Sequence, residues 1–338
     1  MMRIIHRGFT LVEVMIALTL SLLLVAGLTR IFLANKQTFD VATASARTQE
    51  NGRMALSVLS RAIRNADYWG CQGSKEVLQG SFTSLLNDSS GSEFGLLLRG
   101  LDGENGTGPD ESDQLILGGL ASGSGVNVTQ QPSPTAANLK VQDASGFAEN
   151  DIVVVTNCHR GHLFQVTNVN SNNGVLVHNT GNVSAGPGNA TKTITPSYND
   201  DPRGAMVYLP DQKIFYLRDN TRTGRRELVL DGVLLDPVAL LEGVRDFQFE
   251  LGRDANGDGR VDVWSPPGDP DHADQAVAIR MSLLVRSGIQ GLTDGDQSYC
   301  YPGWLDCLAD PSLETTSGEN DTFLYRVYTA TTALRNRI

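Results

Sequence analysis

The chain has 338 residues, 40% hydrophobic and 19% charged, enough apolar matter for a sizeable core and too much for wholesale disorder. Its 38 acids outnumber its 27 Lys and Arg, for a formal net charge of -11, which excludes general nucleic-acid binding as a first reading because few groups are left to neutralise phosphates. Length suggests about two units of roughly 150 residues, and 35 glycines with a middle third crowded by Asn, Ser and Thr favour strands and turns over a helical bundle.

Residues 1–8, MMRIIHRG, carry Arg3, His6 and Arg7 and no acid. From there to Arg30 the one charged residue is Glu13, and the apolar run is long enough for a membrane-spanning helix. It differs from an ordinary secretory signal because no small-x-small cleavage site closes it. After Gly27 the apolar pattern resumes at Ile31, Phe32 and Leu33. Glu13 is the anomaly: a carboxylate costs roughly 2.5–3.5 kcal/mol at the centre of a membrane helix and less near an end. At the interface it can be solvated; among apolar helices it calls for a positive partner.

Arg7-Gly8-Phe9-Thr10-Leu11-Val12-Glu13 resembles the class III signal of type IV pilins and type II secretion pseudopilins. The resemblance implies that a prepilin peptidase cuts between Gly8 and Phe9 and methylates Phe9. Gly8, lacking Cβ, lets a protease approach the backbone closely. Removing the basic leader uncovers an ammonium on Phe9. The resemblance makes that ammonium the counter-charge for Glu13 of a neighbouring subunit during filament assembly.

From Gln37 onward the pattern turns polar, with Ala55, Leu59, Ala62, Ile63 and Ala66 at helical spacing and no proline within 10–67. A leader over 1–8 and one helix over 9–67, membrane-spanning in its first half and roughly 85 Å long, are predicted. Strand-like runs follow at 95–99, 114–117, 139–141, 151–156, 163–169, 174–178, 205–209, 213–218, 227–230, 244–251, 277–285 and 323–329, separated by turn-forming residues. Segments 100–112 and 180–204 read as long loops. The predicted class is α+β: a long N-terminal pilin-type helix, then a β-rich head over 68–338 with an antiparallel sheet and an insertion at about 118–204.

The stretches DIVVVTNC at 151–158, LFQVT at 163–167, VRDFQFE at 244–250, residues 278–287 and ALRN at 333–336 resemble the PilW family of type IV pilus assembly proteins. That likeness implies a minor pilin that primes pilus assembly and sits at or near the tip. Its partners would be other minor pilins, the major pilin, a tip-associated adhesin, prepilin peptidase and the inner-membrane assembly machinery. The precursor would sit in the bacterial inner membrane by its single helix, Arg3 and Arg7 inside and the head in the periplasm, before passing to the cell-surface pilus. Two alternatives are a type II secretion pseudopilin, which the opening residues fit equally, and a membrane-tethered calcium-dependent adhesin.

Four cysteines allow three connectivities. A local Cys300–Cys307 disulfide would close a short loop containing Pro302, Gly303 and Trp304, leaving Cys71 for Cys158. The competing reading is a metal site from Cys158, His159 and His162, which lacks a second ligand pair at defined spacing. Asp254-Ala-Asn256-Gly-Asp258-Gly259-Arg260-Val-Asp262 matches a calcium-loop pattern, with Asp254, Asn256, Asp258 and Asp262 as side-chain ligands and Arg260 offering its carbonyl. Ser265 stands where that pattern has its bidentate Glu, and the same residues make good hairpin turns between 247–251 and 261–264. No nucleophile elbow, P-loop, HExxH or dinucleotide fingerprint occurs, and Asp110 and Glu111 read as solvated loop carboxylates, so no enzyme is expected.

Overall fold

The computed structural model describes residues 10–70, 82–87, 93–181, 185–199 and 204–337. Helix α1 spans Leu11–Asn65 without interruption, about 80 Å at 1.5 Å per residue. It is followed by β1 (Phe82–Ser84), β2 (Leu101–Glu104), β3 (Gln114–Leu117), β4 (Val126–Gln130), β5 (Asn138–Val141), β6 (Ile152–Thr156), β7 (Gly161–Gln165), β8 (Asn168–Asn170), β9 (Val175–Val177) and β10 (Met206–Tyr208). Then come β11 (Lys213–Asn220), β12 (Arg225–Gly232), β13 (Leu235–Glu242), β14 (Val244–Arg253), β15 (Val263–Ser265), the short α2 (Pro270–Gln275), β16 (Ala276–Arg286), β17 (Ser298–Cys300), β18 (Glu314–Thr316) and β19 (Tyr325–Ala333). A long N-terminal helix thus precedes a β-rich head.

A four-stranded antiparallel sheet, β15-β14-β16-β19, lies under the second half of α1. A five-stranded sheet, β13-β12-β11-β3-β2, shares its core, in which Ala55, Leu59 and Ile63 of α1 join Phe215, Phe247, Phe249, Met281 and Leu283. Strand β16 is buried on both faces, by the shared core on one side and by residues 301–304 on the other, which is why it reads as a near-continuous apolar run. Eight further strands, all drawn from 82–208, form a separate sheet in the order β1-β7-β6-β10-β4-β5-β9-β8 with its own core around Leu139, Val153, Phe164 and Leu176. Trp69, Leu97, Leu120, Val154 and Tyr208 make a third cluster where the end of α1 meets that sheet.

Two expectations need correction. Residues 95–99 do not form a strand; Glu93–Leu98 is a 3-10 helix that buries Leu97, and a short apolar run without alternation does not distinguish the two. The segment 100–112 is not all loop, because β2 pairs with β3 across it. Gly103 is what β2 needs there, since a Cβ would stand 2.5 Å from the Phe249 ring. Strand β13 contains Pro237 and was not anticipated; it is the outer strand of its sheet, where a missing N–H is tolerated.

Candidate assembly interface

Every residue from 10 to 39 is exposed, so the first half of α1 presents its apolar side chains on all faces. By length and composition this helix can cross a membrane. Its few hydroxyls are satisfied internally. Thr19 donates to the Ile16 carbonyl at 2.9 Å, Ser21 to Ala17 at 2.7 Å and Thr29 to Val25 at 2.8 Å. These hydroxyls in the span therefore need no water.

Glu13 stands in the first turn. Its carboxylate accepts from the Thr10 N–H at 2.9 Å and the Thr10 hydroxyl at 3.0 Å, while the Thr10 oxygen accepts from the Glu13 N–H. This capping box satisfies two of the orphan donors at the helix start. The local role was legible as T-x-x-E before an apolar run, beside the charge-pairing role that the sequence suggests. Gly8 and Phe9, the expected processing residues, lie outside the described residues.

The second half of α1 docks on the head through small residues. At Gly52 an added Cβ would stand 2.4 Å from the Tyr328 ring, so the bare backbone is what lets that ring lie against the helix. Ser60 and Thr332 hydroxyls meet at 3.1 Å, the Asn51 side-chain amide donates to the Glu242 carbonyl at 3.1 Å, and Arg326 donates to Ser45 at 3.1 Å. Beyond the last turn Asp67 takes a positive φ of 59°. Its carboxylate accepts from the Trp69 indole at 2.6 Å and pairs with Arg337, which is buried with it. Arg337 also donates to the Ala276 carbonyl at 3.0 Å, and Asn336 to the Ala66 carbonyl at 2.8 Å. The chain's last turn thus fastens the end of α1 to the sheet, a role that sequence reading did not assign to Asp67 or Arg337.

Cys300 and Cys307 form the expected local disulfide. Cys158 is also disulfide-bonded, which removes the reading of Cys158, His159 and His162 as a metal site; its expected partner Cys71 lies outside the described residues. His162 is buried with Nδ1 2.8 Å from the Tyr198 hydroxyl, and burial pushes its pKa down to about 4. The 254–262 segment is the turn between β14 and β15, which pair antiparallel. Asp254 accepts from the Gly257 N–H at 2.6 Å and the Gly259 N–H at 2.7 Å, and these amides hold its carboxyl below the usual range. Asp262 accepts from the Ala255 N–H at 2.8 Å and the Asn256 side-chain amide at 3.1 Å, and Asp258 from the Arg260 N–H at 2.9 Å. The five residues of the calcium expectation are therefore gathered in one loop, and the side chains of Asp254, Asn256, Asp258 and Asp262 accept from the loop's own donors. Asp110 is half-exposed and not merely solvated: it reaches Arg226 at 3.0 Å and also pairs with Arg245.

Residues 214–336 match the family model of the Type IV Pilus-assembly protein W, and residues 5–29 match the prokaryotic N-terminal methylation motif. The second match contains Gly8, Phe9 and Glu13; the first contains the 244–250, 278–287 and 333–336 stretches, but not those at 151–167. No curated protein matches the chain. Among solved structures, a type IV-like pilin from Thermus thermophilus is similar at 14% identity over 38% of this chain and 68% of that one, with a TM-score of 0.23. The chain is type IV pilin-like and carries a PilW domain behind a methylation motif, a pairing of structural subunits and not of enzymes.

Proposed function

We propose that this pilin-like chain is a minor pilin. It is cut between Gly8 and Phe9, methylated on Phe9, held in the inner membrane by α1 with its head in the periplasm, and then packed into a pilus whose assembly it primes at or near the tip. One observation carries the reading: a methylation motif opens directly into a helix that is apolar and exposed on every face for its first half and locked to a PilW head for its second. Among the described residues nothing in its own fold covers the first half of this helix. It can be satisfied first by lipid and then by neighbouring helices.

Glu13 fits both stages. In the precursor its capping box with Thr10 keeps it hydrogen-bonded; after processing, the new ammonium of a neighbour supplies the opposite charge. The pilus is favoured over a secretion pseudopilus because the match over 214–336 is to a pilus-assembly family. The test is Glu13→Ala in cells making pili. Normal cleavage with loss of the subunit from sheared pili is expected, and normal pilus number and composition would contradict the reading.

A further inference from the structure

Charge is divided unevenly over this molecule. The docked half of α1 turns Arg53, Met54, Arg61 and Arg64 outward, with Arg47 and Glu50 beside them, all exposed. Arg326 of β19, also exposed, lines one groove with Arg53. The segment joining β16 to β19 is the opposite: between Arg286 and Arg326 it has seven carboxylates and no lysine or arginine. Six of them, Asp294, Asp296, Asp306, Asp310, Glu314 and Glu319, are exposed. This lobe is shaped by the Cys300–Cys307 disulfide and the β17–β18 pair. Leu308, flanked by Asp306 and Asp310, is 99% exposed within it.

The two surfaces do not neutralise each other within one molecule. Among the described residues the ion pairs include none of these arginines and none of these lobe carboxylates. We propose that the arginine face of α1 receives the acidic lobe of a second copy of this chain, with Leu308 seated against Met54 inside a ring of opposite charges. The complementarity lies between two different patches of one sequence, so each copy carries both halves of the contact. A bilayer is a poorer occupant: Arg53 stands about 30 Å along α1 from Leu33, against a Debye length of about 8 Å. Phosphates of nucleic acid are disfavoured by Glu50 in the patch and by the acidity of the head. The contact stands whether or not the chain is processed at Gly8.

The test uses the full chain in neutral detergent, with self-association followed by sedimentation. Wild type is expected to associate at low salt and to dissociate toward about 1 M salt, where screening shortens to about 3 Å. The triple variants Arg53→Glu, Arg61→Glu, Arg64→Glu and Asp306→Lys, Asp310→Lys, Glu314→Lys are each expected to associate at least tenfold more weakly. Mixed in equal amounts they recover association, because each then meets the surface it lacks. All six changes are at exposed side chains, and a melting curve matching wild type verifies folding. Self-association unchanged in either variant, no recovery on mixing of folded variants, or a monomeric wild type overturns the proposal. So does an arginine variant whose defect is confined to binding duplex DNA or anionic vesicles.

Discussion

Asp113 sits almost fully buried where the β2–β3 turn meets β14, accepting from the Gly106 N–H at 3.0 Å and the Phe249 N–H at 2.9 Å. Burial pushes its carboxyl up to about 6 from an ordinary 3.8, outweighing those two amides. The folded chain therefore holds this proton more tightly than the unfolded chain does. Its contribution to stability is fully present below about pH 4 and is lost as pH rises through about 6, an effect of order 2–3 kcal/mol at most. Asp113→Asn is expected to flatten that part of the pH profile in urea unfolding; an unchanged slope relative to wild type would count against it. Arg337 is the second residue on which the head depends. With its Asp67 partner also buried, Arg337→Met leaves a carboxylate uncompensated and should cost about 3–5 kcal/mol. A loss below about 1 kcal/mol in the same unfolding assay would contradict the fastening role.

At the scale of elements, α1 joins two environments, and its docked half is held by close fit. Leu59 is fully buried, so Leu59→Ala should destabilise the head by about 2–5 kcal/mol. Gly52→Val forces the Tyr328 ring away and should cost about 1–3 kcal/mol, read as a lowered melting temperature with unchanged membrane insertion. The extent of α1 was legible because no proline or turn cluster interrupts it, β14 was legible from its alternation of apolar and polar residues, and β16 from its apolar run. Strands β2, β13, β17 and β18 were not. They are short, polar or proline-bearing, and their pairing is imposed by neighbours distant in sequence. In the candidate site the processing motif and Glu13 are local and readable, whereas Asp67 and Arg337 lie 270 residues apart and only the fold brings them together.

For the whole molecule, the fold separates an apolar anchor from an acidic, β-rich head, and the proposed assembly role needs both. Calcium is the ligand the sequence raised for the head. Because the Asp254–Asp262 turn already closes on its own backbone amides, millimolar calcium should leave the melting temperature where EDTA puts it; a rise of several degrees would restore the cation reading. The most direct test of the central claim is the intact mass of the chain extracted from membranes with and without prepilin peptidase. With the enzyme, the account predicts loss of residues 1–8 and gain of one methyl group on Phe9; a chain that keeps its full mass when the peptidase is present would contradict it.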